Sequence, residues 1–297
     1  MSFTLALNAA GLRPRDVIAD GRIRRCPTET HLGKRNGWHV LHPDGHGLWG
    51  DWASGSGAPL GTWQDEHSTA VAPSPQVLAQ QQRQRERDRA WRAQAIGNAR
   101  RHWADSRPLD RPHPYIEQKG LSPLGCAGLR TNGGLLVVPV MVGDALVSVQ
   151  TIAPDGEKRF WPGAPVKAGA YVLARPRAAL TCIVEGLATG LAVYQALPNA
   201  TVIVAFDAGN LQPVVDRIRP TGSVVIAADN DHKTFARTGV NPGLDKARNA
   251  AELIGCGVAW PQGLEGTDYA DMAREFGAGA ARRIEREILA AARFVMA

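Results

Sequence analysis

Two acidic features stand where an apolar run stops. Glu185-Gly186 follows Thr181-Cys182-Ile183-Val184, and Asp229-Asn230-Asp231 follows Val224-Val225-Ile226-Ala227-Ala228. A buried strand that ends in carboxylates places charge at a sheet edge, where it is costly unless cations or hydrogen bonds compensate. Hard oxygen donors in this pattern suit Mg²⁺, which keeps several waters and takes one or two carboxylates together with substrate phosphates. Asp-x-Asp spacing can bring both carboxylates near one ion, and Gly186 allows a tight turn. A third pair, Asp268 and Asp271, follows the last apolar run within Gly266-Thr267-Asp268-Tyr269-Ala270-Asp271. Taken singly, a Glu-Gly is an ordinary turn and Asp-Asn-Asp an ordinary loop. Their order, one strand-helix unit apart, is more specific.

The elements that must hold these acids alternate. Leu180 to Val184, Thr201 to Phe206, Ser223 to Ala228 and Cys256 to Trp260 read as strands, and Leu187 to Leu197, Leu211 to Ile218 and Leu244 to Ile254 as helices. Such alternation predicts a parallel sheet flanked by helices, with ligand sites at the carboxyl ends of the strands. Upstream, Leu135 to Val140 and Leu146 to Gln150 are short apolar strands separated by Gly and Asp turns, predicting an antiparallel α+β region. Residues 77 to 106 contain no proline and carry Arg83, Arg85, Arg87, Arg89, Arg92, Arg100 and Arg101. This predicts a long helix, either a solvated spacer or a strut that contacts phosphates. The segment from Ser54 to Gln76 is rich in Ser, Gly, Pro and Ala and reads as a linker. Before it, Trp38 to His42 and Leu48 to Trp52 flank Pro43-Asp44-Gly45, a hairpin signal. A helical pattern (Phe3, Leu5, Ala6, Leu7, Ala10) opens the chain. The expected domains are therefore 1–62, small, aromatic and β-rich; 63–107, linker and Arg-rich helix; 108–175, basic α+β; and 176–297, α/β with carboxy-terminal helices.

The ordered set of motifs resembles a known family. Ile183-Val184-Glu185-Gly186 and Val225-Ile226-Ala227-Ala228-Asp229-Asn230-Asp231 resemble the two signatures of the Toprim domain, a Rossmann-like parallel sheet flanked by helices. Tyr115 to Leu121, Leu136 to Val140, Ser148 to Ile152, Gly156 to Gly163 and Asn241-Pro242-Gly243 extend the likeness to Toprim DNA primases of phages, plasmids and conjugative elements, within the DnaG-like superfamily. The resemblance covers about residues 110 to 280. Gly50-Asp51-Trp52 in the tryptophan-rich opening is a softer match.

The resemblance implies a DNA primase, a nucleotidyltransferase making short primers in mobile-element replication. Glu185, Asp229 and Asp231 become the catalytic acids and, with Asp268 and Asp271, the ligands of Mg²⁺ or Mn²⁺. Region 108–175 becomes a primase-type subdomain whose Arg130, Lys158 and Arg159 line a groove. His232, Lys233 and Arg237, in the loop after Asp231, meet a triphosphate or form a solvated basic loop. The implied partners are a single-stranded DNA template, NTPs or dNTPs, and a separate replicative helicase, since no G-x-x-x-x-G-K-[ST] loop is present. One departure stands out: the DnaG type has an Asp four residues after the motif glutamate, and this chain has Thr189. A Toprim nuclease and a catalytically silent DNA-binding accessory protein are the competing readings. A topoisomerase is disfavoured by the absence of room for strand-passage domains.

Bulk properties are compatible. The 297 residues carry a formal charge of +6, suited to a polyanionic partner. Four scattered cysteines (Cys26, Cys126, Cys182, Cys256) form no C-x-x-C pair and read as reduced thiols. Cys26, His31, His39, His42 and His46 give no recognisable four-ligand spacing, so zinc is disfavoured. Trp38, Trp49, Trp52 and Trp63 either stack unpaired bases or fill a small β core. No leader-like or membrane-spanning run is found, and the cytoplasm is the expected compartment.

Overall fold

The computed structural model describes residues 2–54, 59–65, 75–122 and 128–294. Most of the Ser/Gly/Pro-rich stretch after Ser54, and Cys126, lie outside them. The chain forms two compact units, Met1–Glu86 and Arg87–Ala297.

In the first unit, helix α1 (Phe3–Ala9) is capped by the Ser2 side chain, which accepts from the Leu5 amide. Strands β1 (Arg24–Cys26), β2 (Gly37–Leu41), β3 (His46–Asp51) and β4 (Gly61–Gln64) form an antiparallel sheet in that order. The β2–β3 hairpin turns at Pro43-Asp44-Gly45, where Gly45 takes φ 78° and the Asp44 carboxylate accepts from the His46 amide. Phe3, Leu7, Leu12 and Cys26 form the small core, with Trp49 and Trp63 packed against it. Trp38 is buried, whereas Trp52 is 46% exposed with its ring 6.0 Å from that of Trp38. Three of the four tryptophans therefore fill this unit rather than present free faces.

Helix α2 (Pro75–Asp105) begins in the first unit and ends in the second. Ala95 and Ala99 are buried near its end, while Arg83, Arg85, Arg87, Arg89 and Arg92 are exposed. Arg100 donates to the Leu146 carbonyl.

The second unit holds two five-stranded sheets. The first, wholly antiparallel, runs β5 (Arg107–Pro108), β6 (Arg130–Asn132), β7 (Leu135–Val142), β8 (Ala145–Ile152) and β9 (Lys158–Phe160), with α3 (Pro114–Gln118) inserted after β5. The second contains β10 (Tyr171–Leu173), β11 (Leu180–Val184), β12 (Ala200–Val204), β13 (Ser223–Ala227) and β14 (Gly257–Ala259), in the order β10-β12-β11-β13-β14. All its pairings are parallel except β10–β12. The remaining helices are α4 (Leu187–Ala196), α5 (Ala208–Ile218), α6 (His232–Thr238), α7 (Pro242–Glu252), α8 (Tyr269–Phe276) and α9 (Ala280–Phe294).

Alternation along the central strands explains the layering. Cys182 and Val184 of β11, with Val225 and Ala227 of β13, face a core shared with Leu187, Leu191, Tyr269, Ile284 and Ile288 of α4, α8 and α9. Ile183 and Ile226 face the opposite core, with Leu211, Val214, Leu244 and Ala247 of α5 and α7. Buried on both faces, these strands carry near-continuous apolar runs. Gly190 sits where α4 crosses the sheet; a Cβ there would lie 2.7 Å from Val204 Cγ2. Tyr115, Leu136, Val138 and Ile152 join the first of these cores, so the antiparallel sheet shares its packing.

Candidate active site at the carboxyl ends of the parallel strands

β11 and β13 are adjacent and parallel, with Val184 opposite Ala227, so the residues that follow them emerge at the same sheet edge. Glu185 comes directly after β11. Asp229 and Asp231 come just after β13. Asp268 caps α8, accepting from the Asp271 amide at 2.7 Å. Burial, first, and then the charge of Asp231 and Asp207 raise the Glu185 pKa to about 7, against a hydrogen bond from the Ala208 main chain and a smaller opposing effect of Lys158. Asp229 is raised further, to about 8, by burial and then by Glu185, Asp268 and Asp231. Asp268 is also raised, chiefly by burial. Four carboxylates thus share one field.

Hydrogen bonds hold part of this cluster rigidly. Asp231 receives the Gly243 amide on Oδ2 at 3.0 Å, and its own amide donates to Asn241 Oδ1 at 3.1 Å. Asn241 Nδ2 donates to Asn230 Oδ1 at 2.9 Å, and the Asn230 amide donates to the Thr267 carbonyl. Gly243 is required by close approach, since a Cβ would lie 2.5 Å from the Asp229 carbonyl oxygen and 3.2 Å from Asp231 Oδ2. Thr189 is buried and directs its hydroxyl at Asp229 Oδ1, 3.5 Å away. Gly186, by contrast, has an extended φ of −108° at the N-cap of α4 and needs no left-handed turn.

The other sequence-derived candidates divide. Lys158 joins the cluster: its field acts on Glu185 and Asp229, and its ammonium lies 5.8 Å from the Tyr115 ring centroid. Among the described residues the buried Tyr115 hydroxyl has no hydrogen-bond partner, and burial together with Asp268 pushes it up to about 12. Arg159, next on the same strand, points the other way and pairs with Glu157 at 2.8 Å. Arg130 is not free for a groove, because its guanidinium donates to the Trp103 and Ser106 carbonyls and lies 4.5 Å over the Trp103 ring. Asp271 is likewise engaged, with the Thr267 amide, Lys119 and Arg274. His232, Lys233 and Arg237 are not in a loop but on α6, which Gly239 (φ 73°) terminates; the His232 ring bonds back to the Asn230 carbonyl, and Lys233 and Arg237 are exposed.

Asp207 is an acid that the strand-end pattern does not single out. Two residues, Ala205 and Phe206, separate it from β12, and Phe206 takes a strained left-handed φ of 76°. Its side chain caps α5 through the Asn210 amide, and its charge reaches Glu185.

Residues 180–279 match the family model of the Toprim domain. The chain is similar to Toprim-domain proteins over this stretch. It is 31% identical over 274 residues to an Escherichia coli protein named DNA primase TraC, covering 86% of this chain and 18% of that protein. A second DNA primase TraC of Escherichia coli is 32% identical over 265 residues, 82% of this chain and 24% of the relative. The chain thus spans about a fifth of the length of these relatives. A solved structure of the DnaG primase catalytic domain bound to ssDNA aligns with TM-score 0.41 and 16% identity over 70% of this chain and 85% of that one.

The donor set at the ends of the parallel strands fits a hard divalent cation. Burial and mutual repulsion disfavour ionisation of Glu185 and Asp229, and a dication would relieve both. Among the described residues, no three His, Cys, Asp or Glu side chains form a ready-made cage. An open arrangement of a few carboxylates is what an ion that keeps its waters and shares substrate phosphates takes. Among the described residues, no helix is long and apolar enough to cross a membrane.

Proposed function

We propose that this chain is a DNA primase-type nucleotidyltransferase that synthesises short primers on a single-stranded DNA template. The observation that carries the reading is the shared field of Glu185, Asp229 and Asp231, at the ends of adjacent parallel strands, and Asp268, at the cap of α8. The relation to proteins named DNA primase supports it. Asp229 and Asp231 would hold Mg²⁺ or Mn²⁺, Asp231 being the more firmly positioned through Asn241 and Gly243. When bound, the metal supplies charge stabilisation for the reacting α-phosphate and the departing pyrophosphate. Asp268 adds negative charge from the α8 cap, while Asp271 serves Lys119 and Arg274 instead.

In the reaction, the oxygen of a 3′-hydroxyl forms a bond to the α-phosphorus of an NTP or dNTP, and the bond to pyrophosphate breaks. The hydroxyl proton passes to Glu185, the carboxylate that follows β11, acting as general base. Lys158, held over Tyr115, places a fixed cation beside these acids and offers a contact for the incoming phosphates. Template and nucleotide are positioned rather than chemically altered by the rest of the chain.

Purified protein incubated with single-stranded DNA, labelled NTPs and dNTPs, and Mg²⁺ or Mn²⁺ tests this reading, beside an Asp229→Asn/Asp231→Asn control. New labelled oligonucleotides that vanish in the control support it. Metal-dependent shortening of the DNA without synthesis would replace it with the nuclease. Binding without either product, in the presence of a replicative helicase as well, would leave an accessory protein.

A further inference from the structure

Helix α3 meets α8 at its carboxyl end. Lys119, the C-cap of α3, pairs with Asp271 of α8 at 3.7 Å, and a Cβ on Gly120 would lie 3.7 Å from the Arg274 Cα. Residues three or four apart share a helix face. One turn back from Lys119 is Tyr115, and one turn back from Asp271 is Asp268, an acid of the strand-end cluster. The two are coupled: burial, chiefly, and then the charge of Asp268 raise the Tyr115 hydroxyl.

Tyr115 is 3% exposed, and its ring is held from two sides. A Cβ on Gly156 would lie 3.6 Å from its Cδ2, and the Lys158 ammonium is 5.8 Å from its ring centroid. The hydroxyl at the end of this fixed ring has no hydrogen-bond partner among the described residues. Buried polar groups are normally satisfied, so a donor left over beside an acidic cluster asks for a role. Asp268 has room for it. Its Oδ1 accepts the Asp271 amide at 2.7 Å, and the Ala270 main chain is a second donor to the carboxylate. An ionised carboxylate has about four acceptor sites, so these two bonds do not saturate it. A dication among the acids favours that charged, acceptor-only form.

We propose that Tyr115 is a positioning residue for divalent metal, its hydroxyl donating to the Asp268 carboxylate when a cation occupies the acid cluster. The inference rests on the reading of that cluster as a metal site. The hydroxyl gains its partner only in the loaded state, so it contributes to metal affinity and nothing to the metal-free fold. Tyr115→Phe separates the two contributions, because it keeps the ring under Lys158 and deletes the donor alone.

The test is Mn²⁺ binding to the full chain, read from the EPR signal of the free ion, for the unaltered protein, Tyr115→Phe, Asp268→Asn and the double variant. Thermal unfolding in chelator accompanies it. Tyr115→Phe should weaken Mn²⁺ binding by about tenfold, as loss of a partner to a ligating group does. Its metal-free Tm should stay the same or rise, since a buried unpaired hydroxyl has been removed. In the Asp268→Asn background the same substitution should change affinity by less than about twofold. Unchanged affinity in Tyr115→Phe would overturn the proposal, as would an equal loss in both backgrounds. A lower metal-free Tm would also overturn it, by showing that the hydroxyl is bonded within the empty fold. Failure of the unaltered protein to bind Mn²⁺, or binding that survives Asp229→Asn/Asp231→Asn, would instead remove the metal-site reading and this inference with it.

Discussion

The strand-end acids and a cavity of about 290 Å³ in the first unit, lined by basic side chains, are opposite solutions to one physical problem. Each gathers like charges without enough counter-charge: Glu185, Asp229, Asp231 and Asp268 in one, Arg15, Arg25, Lys34 and Arg35 in the other. They differ in how the charge is held. The acids stand on strand ends and a helix cap, partly buried, and two of them titrate near neutrality. The cations stand mostly on loops and are exposed to water. Repulsion among the acids is therefore built into the folded state, whereas repulsion among the cations is screened. The acid site should trade stability for chemistry, and the basic site should cost the fold little.

The sharpest way to break that comparison is Asp229→Asn. Removing the most strongly perturbed carboxylate should lower primer synthesis by about a thousandfold or more, while the metal-free protein becomes more stable, by about 1 kcal/mol or a few degrees in Tm. Paired priming assays and thermal scans in chelator check it. A variant that loses activity and stability together would mean that Asp229 is structural.

Next in size is Gly243→Ala. Its Cβ would fall 2.5 Å from the Asp229 carbonyl oxygen, a main-chain atom that cannot swing aside. The strand end must shift, at a cost of about 1–3 kcal/mol, and Asp231 loses its amide partner's position. Activity should fall by about a hundredfold, because small displacements of positioned groups are expensive. Asn241→Ala acts on the same carboxylate more gently. It removes the N-cap of α7 and the acceptor for the Asp231 amide, for about 1 kcal/mol and about tenfold weaker metal dependence. Measuring activity against Mg²⁺ concentration separates this from a loss in maximal rate.

How much of this was legible differs between the two regions. The alternation after residue 176 was readable because both faces of β11 and β13 are buried, so each strand is an unbroken apolar run that stops at its acid. Asp207 escaped because the left-handed Phe206 separates it from β12, and a carboxylate at a helix start reads as a simple cap. Arg130 read as a free cation because sequence carries no sign of the α2 carbonyls it binds. The helix of His232 to Thr238 is too short for periodicity to register, so its sequence reads as a loop. The four cations of the first unit were invisible as a group, since only the β1–β2 pairing and the intervening loops bring them to one cavity.

The pH dependence of stability sharpens the contrast with a smaller effect. Glu185 and Asp229 have folded pKa values of about 7 and about 8, above their ordinary values of 4.5 and 3.8. The folded state therefore holds protons that the unfolded state has released, and stability falls as pH rises through that interval. Metal-free protein should lose stability between about pH 5 and pH 8, with Asp229→Asn and saturating Mg²⁺ each flattening the slope. Urea titrations at several pH values measure it. A flat or rising profile without metal would mean that these acids are neutralised by partners after all.

The smallest expected effect is on stability in the first unit. Arg25 and Lys34 are exposed, and neither makes an ion pair within 4.0 Å among the described residues. Truncating both to alanine should change stability by less than about 0.5 kcal/mol, as for ordinary surface substitutions, and relief of repulsion sets the sign toward stabilisation. Low salt should enlarge that gain, because screening is then weakest. A loss of more than about 1 kcal/mol at any salt concentration would show that these cations hold the loops of the fold together. The two regions would then be alike in structure as well as in charge imbalance.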